Sequence, residues 1–107
     1  MKIYTVKPQP YGVDAVPKEV RFLVATARAQ GERVFLIDSR PCGPYLRTAT
    51  RHALAAMKRD GKINFFVPAD RFGEDNIGAA FLQSRDPAIV EEPLIAEHAE
   101  GVFVVAL

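Results

Sequence analysis

A chain of 107 residues with a formal net charge of +1 has the size of one domain, 1–107, and can bury one core but not two of similar size. With 49% hydrophobic and 25% charged residues it is not a disordered chain, and no apolar run approaches the roughly 18 residues that cross a bilayer, so a cytoplasmic protein without membrane contact is expected. A single cysteine and two histidines exclude an internal disulfide and argue against a Cys- or His-based metal centre, so neither metal nor cofactor is expected.

In chain order, residues 2–7 are β-branched and aromatic and stop at Pro8, which predicts a first strand. Pro8, Pro10 and Gly12 then predict a loop. From Val16 the apolar residues Val16, Val20, Leu23, Val24 and Ala27 recur at helical spacing, with Pro17 suited to a first turn and Gly31 to a stop. Val34–Ile37 is a short apolar run that fits a strand covered on both faces. Asp38 to Pro44 is dense in turn formers, and a second helix is predicted from Tyr45 to Asp60 with Leu46, Thr50, Ala53, Leu54 and Met57 facing inward.

Ile63–Val67 predicts a third strand ended by Pro68, and Ala69 to Asn76 a polar loop. A short helix follows from Ile77 to Ser84, capped by Asp75 or Asn76. Asp86-Pro87 predicts another helical turn, interrupted by Pro93. Val102 to Leu107 is wholly apolar and predicts a central strand. Strands alternating with helices predict an α/β fold, a sheet of about four strands that is at least partly parallel with helices packed on it; the alternative is an α+β, winged-helix-like arrangement.

Charge is unevenly distributed. Residues 1–62 carry 12 Lys or Arg against 5 Asp or Glu, while residues 63–107 carry 2 against 8. This asymmetry predicts either an anionic partner or electrostatic contact between halves or between subunits. The basic residues concentrate on the second helix: at about 100° per residue, Arg47, Arg51 and Lys58 lie within about 40° of one another, and Arg40 and Lys62 flank the two ends. Such a stripe could neutralise several phosphates of a nucleic acid or meet an acidic protein surface.

Thr48 to Ile63 resembles the recognition helix of winged-helix regulators and its step into the wing. The carriers are the threonines Thr48 and Thr50, the Leu54-x-x-Met57 pair and Asp60-Gly61 before a strand. The resemblance implies that Thr48, Arg51 and Arg47 face bases or phosphates. It departs from that family at residues 41–44, where a Pro/Gly turn replaces a helix.

Cys42-Gly43-Pro44, between a buried strand and a helix, resembles the redox motif of thioredoxin-like proteins, but Tyr45 stands where the second cysteine belongs. The resemblance therefore implies single-thiol chemistry only. A helix N-terminus with Arg40 and Arg47 nearby would lower the thiol pKa. Arg47 follows Cys42 by five positions, one short of the phosphatase Cys-x5-Arg loop, which rules that assignment out. Neither a Gly-rich nucleotide loop nor a Ser-His-Asp set is present.

Asp38 and Asp70 each follow a predicted strand. If those strands run in the same direction, Asp38, Ser39, Arg40, Cys42, Asp70 and Arg71 converge beyond the carboxyl ends of the sheet, where ligands of open sheets bind. The leading expectation is a small non-enzymatic regulatory or interaction domain, with nucleic acid, met through the basic helix, as the first partner to test and a homodimer as a candidate assembly. The alternative is a thioredoxin-like single-thiol protein or small-ligand-handling enzyme built on the Cys42 turn.

Overall fold

The apolar run 102–106 takes the middle of the sheet. In the computed structural model, which describes residues 1–8, 13–73 and 75–107, strands β1 (Ile3–Thr5), β2 (Val34–Asp38), β3 (Phe65–Pro68) and β4 (Val102–Ala106) form one sheet in the order β1-β2-β4-β3. β1 pairs in parallel with β2, and β4 is antiparallel to both of its neighbours. β2 and β3 therefore point the same way although β4 lies between them. The residues that follow Asp38 and Pro68 and those that precede Val102 consequently share one end of the sheet.

Successive residues of a strand face opposite sides, and here both sides are covered. Helices α1 (Val16–Ala29) and α2 (Pro44–Arg59) pack over Phe35, Ile37, Phe103 and Val105. On the opposite side, α3 (Ile77–Arg85), a 3-10 turn at Pro87–Glu91 and α4 (Pro93–Ala96) pack over Leu36, Val67, Val102 and Val104. All five residues of β4 are buried for this reason. The result is a three-layer α/β domain with a mixed sheet.

The helices form where apolar spacing and end signals agree. α1 buries Val16, Val20, Leu23, Val24 and Ala27, and the chain leaves it through Gly31 at φ 78°. α2 buries Thr50, Ala53, Leu54 and Met57, and the Thr50 hydroxyl donates to the Leu46 carbonyl at 2.8 Å, so its polar atom is satisfied inside the core. Of the two candidate caps for α3, Asn76 serves: its side chain accepts from the Ala79 N–H at 3.0 Å. Gly78 lets α3 lie directly on β3, since a Cβ there would come within 2.7 Å of Val67 Cγ2.

Several boundaries differ from the sequence reading. β1 is three residues long; Val6 has left the ladder, though it is buried and its N–H still donates to the Asp38 carbonyl at 2.9 Å. β3 begins at Phe65 because residues 62–64 are used to leave α2, with Ile63 buried on the way. The segment 69–76 is not a wholly polar loop: Ala69–Arg71 is a 3-10 turn, and Ala69 and Phe72 are buried. Pro93 starts α4 after the preceding turn has ended. The predicted loop residues Pro10 and Gly12 lie outside the described residues. The winged-helix-like alternative is corrected: β3 leads into a helix, and its antiparallel partner β4 comes from the far side of α3 and α4, so no wing hairpin follows α2.

Candidate functional site

The turn after β2 is held by its own side chains. Asp38 is buried, and its Oδ1 accepts from the Arg40 N–H at 2.9 Å and from Arg40 Nε at 3.0 Å, while Oδ2 accepts from Arg40 Nη2 at 2.9 Å. Such forked pairing is the strong form of an arginine–carboxylate contact. Burial alone would raise the Asp38 pKa, but these bonds and the Arg40 charge outweigh it and hold the carboxyl below its usual range. Ser39 donates from both its N–H and its hydroxyl to the Gly101 carbonyl, at 2.8 and 2.6 Å, which ties the turn to the start of β4.

Arg47 completes the turn. Its Nε donates to the Cys42 carbonyl at 3.0 Å and its Nη2 to the Arg40 carbonyl at 2.9 Å. The guanidinium of a residue predicted to face phosphate is thus spent on backbone oxygens. Cys42 itself is 3% exposed, with its sulfur 3.5 Å from the Val6 carbonyl. Burial pushes its pKa up; Arg47 pulls the other way without prevailing. In the folded protein Cys42 should label with a soluble maleimide much more slowly than a free model thiol, and at the model rate once unfolded in urea. Fast native labelling would return the sulfur to consideration as a nucleophile.

The loops after β2 and β3 do reach the same end of the sheet. A cavity of about 160 Å³ there is lined by Arg47, Thr48 and Arg51 of α2, by Asp70 and Arg71, and by Glu100 and Gly101. Gly101 links the two groups, lining the cavity while its carbonyl holds Ser39. Asp38, Ser39 and Cys42 lie behind this surface and do not line it. The sequence-predicted cluster therefore separates into a buried structural turn and an open polar cleft.

The five candidate nucleic-acid residues also separate. α2 spans about 22 Å at 1.5 Å per residue, so Arg40 and Lys62, beyond its two ends, cannot share one contact point. Arg40 and Arg47 are held by the turn. Arg51 and Lys58 are exposed and form no ion pair with any described residue. Lys62 is exposed at the far end, where its carbonyl accepts from Arg28 Nη2.

No family model, curated protein or solved structure matches this chain. The site must therefore be judged from its own charge distribution, which becomes spatial on folding. The basic first half supplies the α1/α2 layer, where Lys18, Arg21, Arg51, Lys58 and Arg59 are exposed. The acidic second half supplies the opposite layer, where Asp75, Asp86, Glu91 and Glu97 are exposed, while Glu100 lies at the sheet end beside Arg47 and Arg51. The sheet stands between them. Among the described residues Arg40–Asp38 and Arg59–Asp60 pair within the first half, and the Met1 amine meets Glu92 of the second half at 3.6 Å. Sequence reasoning missed Lys18 and Arg21; the same period that placed Val16, Val20 and Leu23 inward would have placed them outward.

Among the described residues no three of His, Cys, Asp or Glu are grouped so as to hold a metal ion, and no helix is long and apolar enough to cross a membrane.

Proposed function

We propose that this is a non-enzymatic interaction domain whose α1/α2 face binds a polyanion, with nucleic acid as the partner. One observation carries the reading: cations predominate in the α1/α2 layer, against Glu19 and Asp60, and acids predominate in the α3/α4 layer, against Arg85. A net charge of +1 thus conceals a basic face that a phosphate backbone can meet locally. Arg51 and Lys58 reach solvent without an ion-pair partner among the described residues, and Arg21, His52 and Lys62 line the groove between α1 and α2 together with Asp60. No comparable support exists for thiol chemistry, because Cys42 is covered and its ionisation opposed.

The test is fluorescence anisotropy with labelled DNA and RNA oligonucleotides at several salt concentrations. If about four cations each meet a phosphate, log affinity should fall against log salt with a slope near −3 to −4. Replacing Arg51 and Lys58 together by glutamine should reduce that slope by about 2 and leave the melting temperature nearly unchanged, since both side chains are exposed. Absence of binding at low salt, or a slope indifferent to the double substitution, would dispose of the proposal.

A further inference from the structure

Among the described residues β3 is an edge strand: β4 pairs with it on one side, and no described strand lies on the other. Along this side runs a cavity of about 710 Å³ that touches Phe65 and Phe66, Lys58 of α2, and Ile77, Gly78 and Phe81 of α3. Phe65 and Phe66 point to opposite faces, the first stacking edge-on with Phe81 at 5.8 Å and the second with Phe103 at 6.1 Å. One cavity can touch both faces of a sheet only at the sheet's edge, so this is a groove whose floor is the unpaired side of β3. Its two walls differ. The α2 wall carries Lys58, which is exposed and forms no ion pair with any described residue; the α3 wall carries Ile77 and Phe81, 89% and 46% exposed, with the Arg85 guanidinium 5.1 Å from the Phe81 ring centre.

We propose that this groove takes an extended peptide as an added strand, with acidic side chains toward Lys58 and apolar side chains toward Ile77 and Phe81. Main-chain hydrogen bonds to a free strand edge supply affinity that any extended segment can use. Specificity then follows from alternation, because successive side chains of the added strand must fall on opposite walls. Asp75 on the α3 side repels acidic residues from the apolar wall and so reinforces that register. Pro68 has no N–H, which confines pairing to the residues before it.

A second copy of the chain is the competing occupant, and symmetry disfavours it. Two identical edges paired antiparallel about a two-fold axis keep their α2 layers on the same side of the joined sheet. Arg51 and Lys58 of one copy would then approach those of the other. An alternating acidic and apolar peptide meets opposite charge at the same place.

The experiment uses the intact chain and labelled short peptides alternating Glu with Val, or Lys with Val. The Glu–Val peptide is expected to bind and to slow hydrogen exchange at those β3 amides that point away from β4. A Glu–Val peptide N-methylated at alternate amides, unable to pair along the edge, should not bind. Lys58→Glu should weaken the Glu–Val peptide roughly tenfold and favour Lys–Val, and Ile77→Ser, at an exposed position that leaves the core intact, should weaken it by a similar factor. Equal binding of both peptides, binding that survives N-methylation, or protection confined to α1 and α2 would overturn the proposal. Protection of the β3 edge that rises with protein concentration alone would overturn it too, in favour of the second copy. None of these outcomes depends on whether the basic face binds nucleic acid.

Discussion

Replacing Val104 by aspartate is expected to remove most of the stability of the domain. Val104 is fully buried at the centre of β4, with Leu36 of β2 and Val67 of β3 opposite it in register and the α3/α4 layer above. The described residues of that core cluster are all apolar, so an aspartate there must either ionise unpaired or be protonated without a full set of partners. The penalty should exceed about 4 kcal/mol, comparable with the whole stability of a domain this size. Val104→Ala measures the packing part alone and should cost about 2 kcal/mol. Val90→Asp places the same charge at an exposed site and should shift stability by less than about 0.5 kcal/mol. Urea unfolding of the three variants checks the ranking; a Val104→Asp protein that unfolds like the parent would show that β4 does not have a covered face.

Asp38 should be the next most sensitive position, and its effect should depend on pH. The folded-state pKa of Asp38 is depressed below its ordinary value of 3.8, so its contribution is fully present above that value and is lost as pH falls through it toward the folded pKa. Asp38→Asn keeps one acceptor for the Arg40 N–H but surrenders the charged fork, and at neutral pH should cost about 2 kcal/mol. Below about pH 4 the unfolded parent takes up the proton first and the folded carboxyl follows only below its depressed pKa, so the difference between the two proteins should shrink progressively as pH falls. Unfolding midpoints at neutral and acid pH decide the matter. A difference independent of pH would mean that the fork contributes nothing beyond the shape of the turn.

What could be read from the residues, and what could not, divides by distance along the chain. β4 was legible because five consecutive buried positions leave no polar alternation, and α1 and α2 because their apolar residues recur at the helical period. β1 was overestimated, since β-branched composition does not reveal that its ladder ends at Thr5. The helix wheel correctly put Arg47 beside Arg51 and Lys58, yet a wheel assigns direction only to the first atoms of a side chain. The guanidinium at the far end of Arg47 turns back to residues 40 and 42. Nothing local shows that Asp38 is buried, because Gly101, which holds Ser39 of the same turn, comes from the start of β4. The groove at β3 draws on residues 58, 65, 77 and 81, and no single stretch of sequence contains it.

The strand order also constrains how the protein can be made. β4 occupies the slot between β2 and β3 but is synthesised after both, so a nascent chain that has not reached residue 102 holds two strands that cannot pair with each other. Their unpaired edges, Val34–Asp38 and Phe65–Pro68, are apolar but for Asp38 and would be sticky during translation. Closing the sheet requires bringing residues 102–106 back to residues 34–38, a contact of long sequence separation that is intrinsically slow to form. The domain should therefore fold only after its last strand has left the ribosome, as one late insertion event and not by stepwise growth from the amino end.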